Sequence, residues 1–272
     1  MNLSDTIGVI EAKMGSQGLP GKILAPLSGR PALALLTDRI RSARVREWWL
    51  ATTSDPADDV TESWGFELGL RVFRGDAADP LSHFVAIGQE TGADWLVRIS
   101  ADNPFLEAGL IDTLLAGRDA NKTAAKADLI QLRGGIALEC EPDRKPEGVR
   151  GAVFTPRLPI GFGVEMARRD SLERADREID SGDPTDRAHA TRWLHSNARV
   201  LSVPTPPSWP HRPDWRWVIE TYADLAMARS AFRVFADEAT TIDYPTMVSR
   251  LDSHPEITDM NQQLEQKRLS AR

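Results

Sequence analysis

Two lysines and a set of glycines share one loop near the N-terminus, and together they could bind phosphate groups. The loop runs from Lys13 to Lys22 and follows an apolar stretch that predicts a buried strand over residues 6–12. Glycine recurs at every third position: Gly15, Gly18 and Gly21. Unhindered backbone amides can cradle phosphate oxygens, and lysine supplies point charges where negative charge accumulates. From these residues alone, the alternative is an ordinary strand-to-helix turn with solvated lysines.

Two carboxylates further along the chain could hold a divalent cation beside such phosphates. Asp102 follows a strand predicted over residues 94–100, and Glu220 follows one predicted over residues 215–219. Mg²⁺ in phosphate sites is commonly bound by one or two carboxylates together with phosphate oxygens. Structural roles are the alternative, because Asp102 could cap the next helix and the Thr-x-x-Asp pattern after Glu220 resembles a capping box.

Apolar runs that alternate with amphipathic stretches predict the sheet that must position these residues. In the first half, strands are predicted over residues 6–12, 48–53, 70–74 and 94–100, and helices over 31–41, 56–69, 80–92 and 108–118. In the second half, strands are predicted over 162–166, 199–203 and 215–219, helices over 168–179, 184–197, 221–234 and 244–267, and a mobile loop over 139–150. Alternating strands and helices indicate βαβ units and a mostly parallel sheet. Ligands of such α/β folds bind at the carboxyl ends of the strands.

Composition and charge narrow the class of protein. The 272 residues are 41% apolar and 27% charged, which is typical of a globular chain with one large domain or one plus a small appendage. The net charge of −7 argues against a nucleic-acid partner. The single cysteine, Cys140, excludes an intrachain disulfide, and no histidine cluster has zinc-ligand spacing. Without an 18-residue apolar run or a signal-peptide pattern, we expect no membrane span and a cytoplasmic location.

Several motifs, in order along the chain, resemble those of the sugar-nucleotide cytidylyltransferases, and the SpsF-type branch fits best. The segments are IEAKMGSQGLPGKIL, WWLATTSDPADD, VFRGDAADPL, WLVRISADNPF, PIGFGVEMARRDSLERA, DRAHATRWL and RWVIETYADLAMAR. The resemblance covers nearly the whole chain. It implies an α/β nucleotidyltransferase fold, GT-A-like and Rossmann-like, with a mixed, mostly parallel sheet flanked by helices.

The resemblance also implies an activity and an organisation. The activity is transfer of CMP from CTP to a sugar acid or similar anionic acceptor, with release of pyrophosphate and with Mg²⁺ as cofactor, in surface polysaccharide or glycoconjugate synthesis. A catalytic domain is expected over residues 1–236, with a nucleotide-binding half (1–120) and a half for acceptor binding and dimerisation (121–236), before a helical tail (237–272). A homodimer is one expected oligomeric state. The Trp- and Pro-rich residues 209–217 could form its contact, cover the site or fill the core.

Site residues follow from the same resemblance, position by position. Lys22 and Lys13 match the catalytic cations. The nucleotide-binding positions are Ala12, Met14, Gly15, Ser16, Gly21, Thr53 and Asp102. The metal-binding positions are Asp102 and Glu220. The acceptor-side positions are Asp79, Glu165, Arg187 and His189. For His189, packing beside Trp193 on a helix is an equal alternative.

The chain departs from the family pattern at several of its motifs. Gln17-Gly18 stands where SpsF-type loops commonly carry Thr-Arg, and Lys13 stands where arginine is more usual. Glu220 replaces an aspartate, and Ala188 replaces the glutamate of an Arg-Glu-His motif. Two alternatives therefore stay open: a non-catalytic paralogue that binds nucleotide or a partner enzyme, and a GT-A glycosyltransferase that consumes a nucleotide sugar.

Overall fold

A seven-stranded mixed sheet forms the centre of the computed structural model, which describes residues 5–16, 18–132, 158–179 and 184–264. Its strands are β1 (Thr6–Glu11), β2 (Trp48–Thr53), β3 (Arg71–Gly75), β4 (Trp95–Ser100), β5 (Leu129–Leu132), β6 (Val164–Arg168) and β7 (Val200–Ser202). Their order across the sheet is β3-β2-β1-β4-β6-β5-β7. Only β6 runs antiparallel to its neighbours, β4 and β5, so the prediction of a mixed, mostly parallel sheet is confirmed.

Helices cover both faces of this sheet. They are α1 (Ala32–Ile40), α2 (Asp59–Glu67), α3 (Pro80–Thr91), α4 (Ala108–Ala120), α5 (Arg169–Glu178), α6 (Pro184–Arg187), α7 (Arg192–Asn197), α8 (Tyr222–Phe235), α9 (Tyr244–Asp252) and α10 (Pro255–Thr258). Successive residues of a strand point to opposite faces. Accordingly, Val9 of β1 packs in the core with α3 and α5, whereas Ile10 packs in the core with α1, α4 and α8. No helix within the described ranges is long and apolar enough to cross a membrane.

The predicted elements of the first half are confirmed to within a few residues, because each carries its own local signals. Helix α3 begins after Asp79, whose carboxylate accepts a hydrogen bond from the Ser82 amide, and Pro80 occupies its first turn. It ends at Gly92, whose φ of 63° lies in the left-handed region that favours glycine. The predicted helix over 56–69 is a short 3₁₀ turn, Pro56–Asp58, followed by α2.

The prediction of a strand over residues 215–219 is wrong. Among the residues that the structure describes, this segment forms one isolated bridge, between Arg216 and Ile160. Its backbone bonds elsewhere: the Trp217 amide donates to the Ile160 carbonyl at 2.7 Å, and the Ile219 amide donates to the Asp102 carbonyl at 2.8 Å. The segment thereby runs past the end of the sheet and brings the residue after it close to Asp102.

Three other differences occur in the second half. Strand β5 was not predicted, because its four residues are too short to show a period. The helix predicted over 184–197 is two helices, α6 and α7, separated by a turn at Ala188–Thr191 that lets Thr191 reach the sheet. The tail helix predicted over 244–267 is interrupted because Pro255 cannot continue α9 and instead begins α10. The predicted loop over 139–150, Cys140 and the last three residues of the tail prediction lie outside the described residues.

The tryptophans of residues 209–217 fill the core. Trp217 is 1% exposed and stacks on Phe105, with ring centroids 4.9 Å apart. Phe162 meets Trp217 edge-on and stacks on Tyr244 of α9. Of the three roles left open by the sequence for this region, core packing accounts for Trp215 and Trp217, which are both buried.

A buried glutamate beside this aromatic core gives a pH-dependent stability. Burial raises the pKa of Glu107 to about 7, although the Tyr244 amide and the Arg39 charge oppose the rise. Because the pKa of Glu107 in the folded chain lies above its ordinary value of 4.5, the folded chain binds one more proton than the unfolded chain between those two pH values. The contribution of Glu107 to stability is therefore present in full below the lower value and is lost as the pH rises through about 7.

We expect Glu107→Gln, which resembles the protonated acid, to melt at the wild-type temperature at about pH 5 and at a higher temperature at about pH 8. The gain at the higher pH should be about 2–3 kcal/mol in the free energy of unfolding. Thermal unfolding of both proteins at the two pH values measures it. An equal difference at both pH values would contradict the prediction.

Candidate active site

The glycine loop is closed by its own backbone. The Gly21 amide donates to the Met14 carbonyl at 2.9 Å, which joins the two ends of the loop. Gly21 has a φ of 72°, a conformation that glycine adopts without strain, and it starts a 3₁₀ turn that begins with Lys22. A side-chain carbon added at Gly15 would meet nothing within 4 Å, so the loop is open there. The Ala12 amide is already bonded to the Ala51 carbonyl, and Ser16 is half-buried.

A buried aspartate, which the sequence reasoning missed, anchors this loop to the sheet. Asp58 accepts a hydrogen bond from the Met14 amide at 2.6 Å and one from the Thr61 hydroxyl at 2.9 Å. The hydroxyl of Thr53, at the end of β2, also donates to Asp58. Thr53, predicted to bind nucleotide, therefore supports the loop through Asp58. The feature of the sequence that could have indicated this role is the position of Asp58 in the first turn after Pro56.

We expect Asp58→Ala to lower the free energy of unfolding by about 1–3 kcal/mol, because two buried hydroxyls and the partly buried Met14 amide lose their acceptor. The loop would then have to be ordered by the ligand, so the KM for the nucleoside triphosphate expected from the sequence should rise about tenfold or more. Denaturant unfolding and steady-state kinetics measure the two effects. Asp59→Ala is the matched control, since the Asp59 side chain is 67% exposed and pairs with Arg74 at the surface. Equal effects of the two substitutions would contradict an anchoring role.

Lys22 and Asp102 meet at the carboxyl end of the sheet. The Lys22 ammonium lies 2.7 Å from the Asp102 carboxylate, and the lysine is only 6% exposed. Burial raises the pKa of Asp102, the Lys22 charge opposes that rise, and the nearby Glu220 carboxylate adds to it. The three side chains predicted to surround a triphosphate and its metal ion therefore stand together, although they are far apart in the sequence.

Lys13 stands on the open side of this group. It is exposed, and its charge acts on three titratable groups: Asp102, His83 and His189. It therefore faces both the Lys22–Asp102 pair and the residues predicted for the acceptor. An exposed, mobile cation in this position can follow the phosphates of a bound ligand.

A network of half-buried charged side chains crosses β1, β4 and β6, and it was also missed from the sequence. Arg98 of β4 pairs with Glu11 of β1 at 2.5 Å and with Glu165 of β6 at 3.2 Å. Glu165 also accepts a hydrogen bond from the Thr191 hydroxyl and lies 2.9 Å from His195 Nε2. Burial alone would raise the pKa of Glu165, but His195 and Arg98 outweigh it and hold the pKa well below its usual range. Both oxygens of Glu165, predicted for the acceptor side, are engaged in this network.

Two other predicted acceptor-side residues bind each other. Arg187 of α6 donates to Asp79 Oδ2 through Nε at 3.0 Å and Nη2 at 2.8 Å, and it also pairs with Asp176 of α5. Asp79 is at the same time the N-cap of α3. This clamp joins α3, α5 and α6 at the rim of the site.

His189 lies near three cations, of which two, Arg98 and Arg192, are paired with carboxylates. Burial lowers its pKa, and three cations lower it further: Arg98, Arg192 and Lys13. The structure therefore brings His189 near Lys13 and the Arg98 network, but it places the Asp79–Arg187 pair in a clamp of its own.

Asp102 and Glu220 are the donors available for a metal ion in this site. Within the described ranges, no group of three or more histidine, cysteine, aspartate or glutamate side chains is arranged to bind a metal by itself. Two carboxylates nevertheless fit Mg²⁺ well, because this ion prefers hard oxygen ligands and takes the remaining ones from water and substrate phosphates. The donor set thus suits a metal that arrives with a nucleotide.

Comparisons with known proteins give the family of the chain. A family model described as cytidylyltransferase matches residues 7–202. The chain is 34% identical over 262 residues to "Spore coat polysaccharide biosynthesis protein SpsF" of Bacillus subtilis, covering 93% of this chain and 97% of that one. It is 28% identical over 192 residues to the 3-deoxy-manno-octulosonate cytidylyltransferase of Escherichia coli, covering 63% and 75% of the two chains.

A solved structure described as a cytidylyltransferase, from Leptospira borgpetersenii, has the same fold. Its TM-score is 0.79 at 21% identity, and the match covers 96% of this chain and 99% of the other. The extent of the family match and the identity to SpsF decide the classification. The chain belongs to the cytidylyltransferase family and is a nucleotidyltransferase.

Proposed function

We propose that the protein transfers CMP from CTP to a small sugar that carries an anionic group. The oxygen of an acceptor hydroxyl forms a bond to the α-phosphorus and gives up its proton to water. The bond from that phosphorus to the bridging oxygen breaks, and pyrophosphate leaves with its electron pair. The observation that carries this proposal is the 2.7 Å contact between Lys22 and Asp102 at the mouth of the glycine loop, with Glu220 beside them. The predicted catalytic lysine and the two predicted metal ligands are therefore neighbours.

The chain's own groups fit the charge changes of this reaction. Negative charge grows on the non-bridging and leaving oxygens as the transfer proceeds. Lys22 can donate to a non-bridging oxygen of the α-phosphate, and the more exposed Lys13 can approach the departing pyrophosphate. Mg²⁺, held by Asp102 and Glu220, would supply further neutralisation of the phosphate oxygens. The anchored loop, closed between Met14 and Gly21, keeps the backbone amides in place before the ligand arrives.

The acceptor side supports an anionic sugar. His189 lies in the field of Lys13, Arg98 and Arg192, and Arg192 has one buried guanidinium nitrogen without a hydrogen bond in the described parts of the chain. The charge of Arg98 is balanced by Glu11 and Glu165. The exposed Lys13 and the remaining Arg192 nitrogen are the groups that can attract a carboxylate. The names of two relatives point the same way: one relative is a 3-deoxy-manno-octulosonate cytidylyltransferase, and SpsF is named for polysaccharide biosynthesis. We therefore propose a sugar acid of a surface polysaccharide or glycoconjugate as the acceptor.

Pyrophosphate release tests the proposal. The protein is incubated with each of the four nucleoside triphosphates and Mg²⁺, with a panel of sugar acids, matched neutral sugars, or no acceptor. We expect release with CTP and a sugar acid, none with the neutral sugars, and none after chelation of the metal. Binding of CTP without turnover on any acceptor would favour a non-catalytic paralogue. Failure to bind any of the four triphosphates would refute the proposal altogether.

A further inference from the structure

The side chain of Glu220 is held by a buried arginine. Arg216 Nη2 donates to Glu220 Oε2 at 2.6 Å, and its side chain is only 2% exposed. Within the described residues, no hydrogen bond to the other carboxylate oxygen, Oε1, is found. The contact therefore leaves Oε1 as the oxygen that a divalent cation shared with Asp102 could take.

A second carboxylate fixes both this arginine and the backbone of Glu220. Asp224, which is fully buried, accepts from Arg216 Nε at 2.8 Å and from the Glu220 amide at 3.0 Å. The side-chain amide of Asn261 donates through Nδ2 to the Asp224 carboxylate at 2.8 Å and to the Arg216 carbonyl at 2.9 Å. The capping box predicted for Thr221 and Asp224 is present as well. Main chain and side chain of Glu220 thus depend on one rigid polar cluster.

The glycine loop contacts the same residue from the opposite side. A Cβ built on Gly18 would lie 2.3 Å from the Glu220 carbonyl oxygen, closer than a real contact allows. Gly18 itself is exposed to solvent, so this contact, and not core packing, is what requires glycine there. Gly18 and Glu220 are two of the positions at which the chain departs from the family pattern, and they touch each other.

We infer that Arg216 and Gly18 are positioning residues for Glu220: the arginine occupies Oε2 and orients Oε1 for the metal, and the glycine lets the loop close on the Glu220 backbone. A glutamate has more rotatable bonds than an aspartate, so it loses more conformational freedom when it binds a metal. A fixed ion pair removes part of that loss in advance, which is how groups behind a metal ligand raise affinity. The inference rests on the proposed function, because it needs a metal at Asp102 and Glu220.

Metal affinity, measured apart from turnover, tests the inference. Mn²⁺ binding to the protein is titrated by electron paramagnetic resonance in the presence of CTP and the absence of acceptor. We expect Arg216→Lys, which keeps the charge but loses the planar fork, to weaken Mn²⁺ binding by about 10- to 100-fold. The Mg²⁺ concentration for half-maximal turnover should rise by the same factor. Arg212→Lys is the matched control, because Arg212 pairs with Asp252 through the same kind of fork and does not contact Glu220.

Gly18→Ala provides an independent variant if Arg216→Lys does not fold, since Gly18 lies on an exposed loop. We expect it to weaken Mn²⁺ binding too, because the added carbon displaces the Glu220 carbonyl. Gly109→Ala is its control, as the nearest atom to a carbon there is at 3.5 Å, an ordinary contact. Wild-type Mn²⁺ affinity in Arg216→Lys or in Gly18→Ala overturns the inference for that residue alone. A wild-type protein that neither binds Mn²⁺ nor turns over CTP overturns the proposed function, and this inference with it.

Discussion

Replacing Lys22 with methionine is expected to lower kcat for pyrophosphate release by about 10²–10³-fold, the usual cost of losing one preorganised donor at developing charge. Methionine keeps much of the volume of the buried side chain but removes the ammonium that lies 2.7 Å from Asp102. The KM for CTP should change less than kcat, because Lys13 and the loop amides still attract the triphosphate. Single-turnover kinetics with CTP and the best acceptor measure the chemical step directly.

The same substitution should change the pH dependence of the residual activity. Burial already raises the pKa of Asp102, and Lys22 is the first of the charges that oppose this rise. Without Lys22 the pKa of Asp102 rises further, so the carboxylate needed for the metal forms only at higher pH. The acidic limb of the pH–rate profile should therefore move towards alkaline pH. Lys122→Met, at an exposed lysine, serves as the control and should leave rate and profile unchanged. An active Lys22→Met protein with an unshifted profile would remove Lys22 from the mechanism.

Asp102→Asn is expected to abolish most of the activity, by about 10³-fold or more, without lowering stability. The amide cannot replace a charged carboxylate as a ligand for Mg²⁺, yet its oxygen can still accept a hydrogen bond from Lys22. The pKa of Asp102 is raised in the folded chain, so at neutral pH the charged carboxylate is less favourable in the folded chain than in the unfolded one. The raised pKa contributes to stability only at lower pH, where the carboxyl group is protonated. Asparagine is neutral at every pH. The melting temperature of the variant at neutral pH should therefore equal or exceed that of the wild type, as is typical of active-site substitutions.

Asp128→Asn should give the opposite pattern and is the matched control. Burial alone would raise the pKa of Asp128, but hydrogen bonds from the Ser171 hydroxyl and the Arg199 amide outweigh it and lower the pKa. Its charged form therefore stabilises the fold at neutral pH, and asparagine should cost about 1 kcal/mol while activity is kept. Thermal unfolding and kinetics on both variants make the comparison. Loss of stability in Asp102→Asn, or activity within about tenfold of wild type, would contradict a metal-binding role.

The elements of the first half could be predicted because their signals are local. Proline and an N-capping aspartate begin α3, a left-handed glycine ends it, and each strand is a short apolar run. The glycine loop was equally visible, since its glycines and lysines are neighbours in the chain. The motifs that place the chain in its family are likewise short and ordered, and the family match confirms them.

Contacts between distant segments were decided only by the tertiary structure. Spacing along the chain could not show that Asp58 would bond the Met14 amide, or that Arg98 would stand between Glu11 and Glu165. These contacts depend on strand order and register, such as the pairing that sets Glu11 opposite Ser100. The segment at residues 215–219 illustrates the same limit, because its apolar pattern is that of a strand, while its backbone partners are Ile160 and Asp102.

The sequence by itself determined which chemical groups the protein carries. They are two lysines in a glycine-rich loop and two carboxylates, each carboxylate following a predicted strand. Only the tertiary structure decided that Lys22 and Asp102 form one pair and that Gly18 and Arg216 hold Glu220 beside it. The physical reason is that residue type and local period act over a few neighbouring residues, whereas a shared site requires several segments to meet at one edge of a sheet.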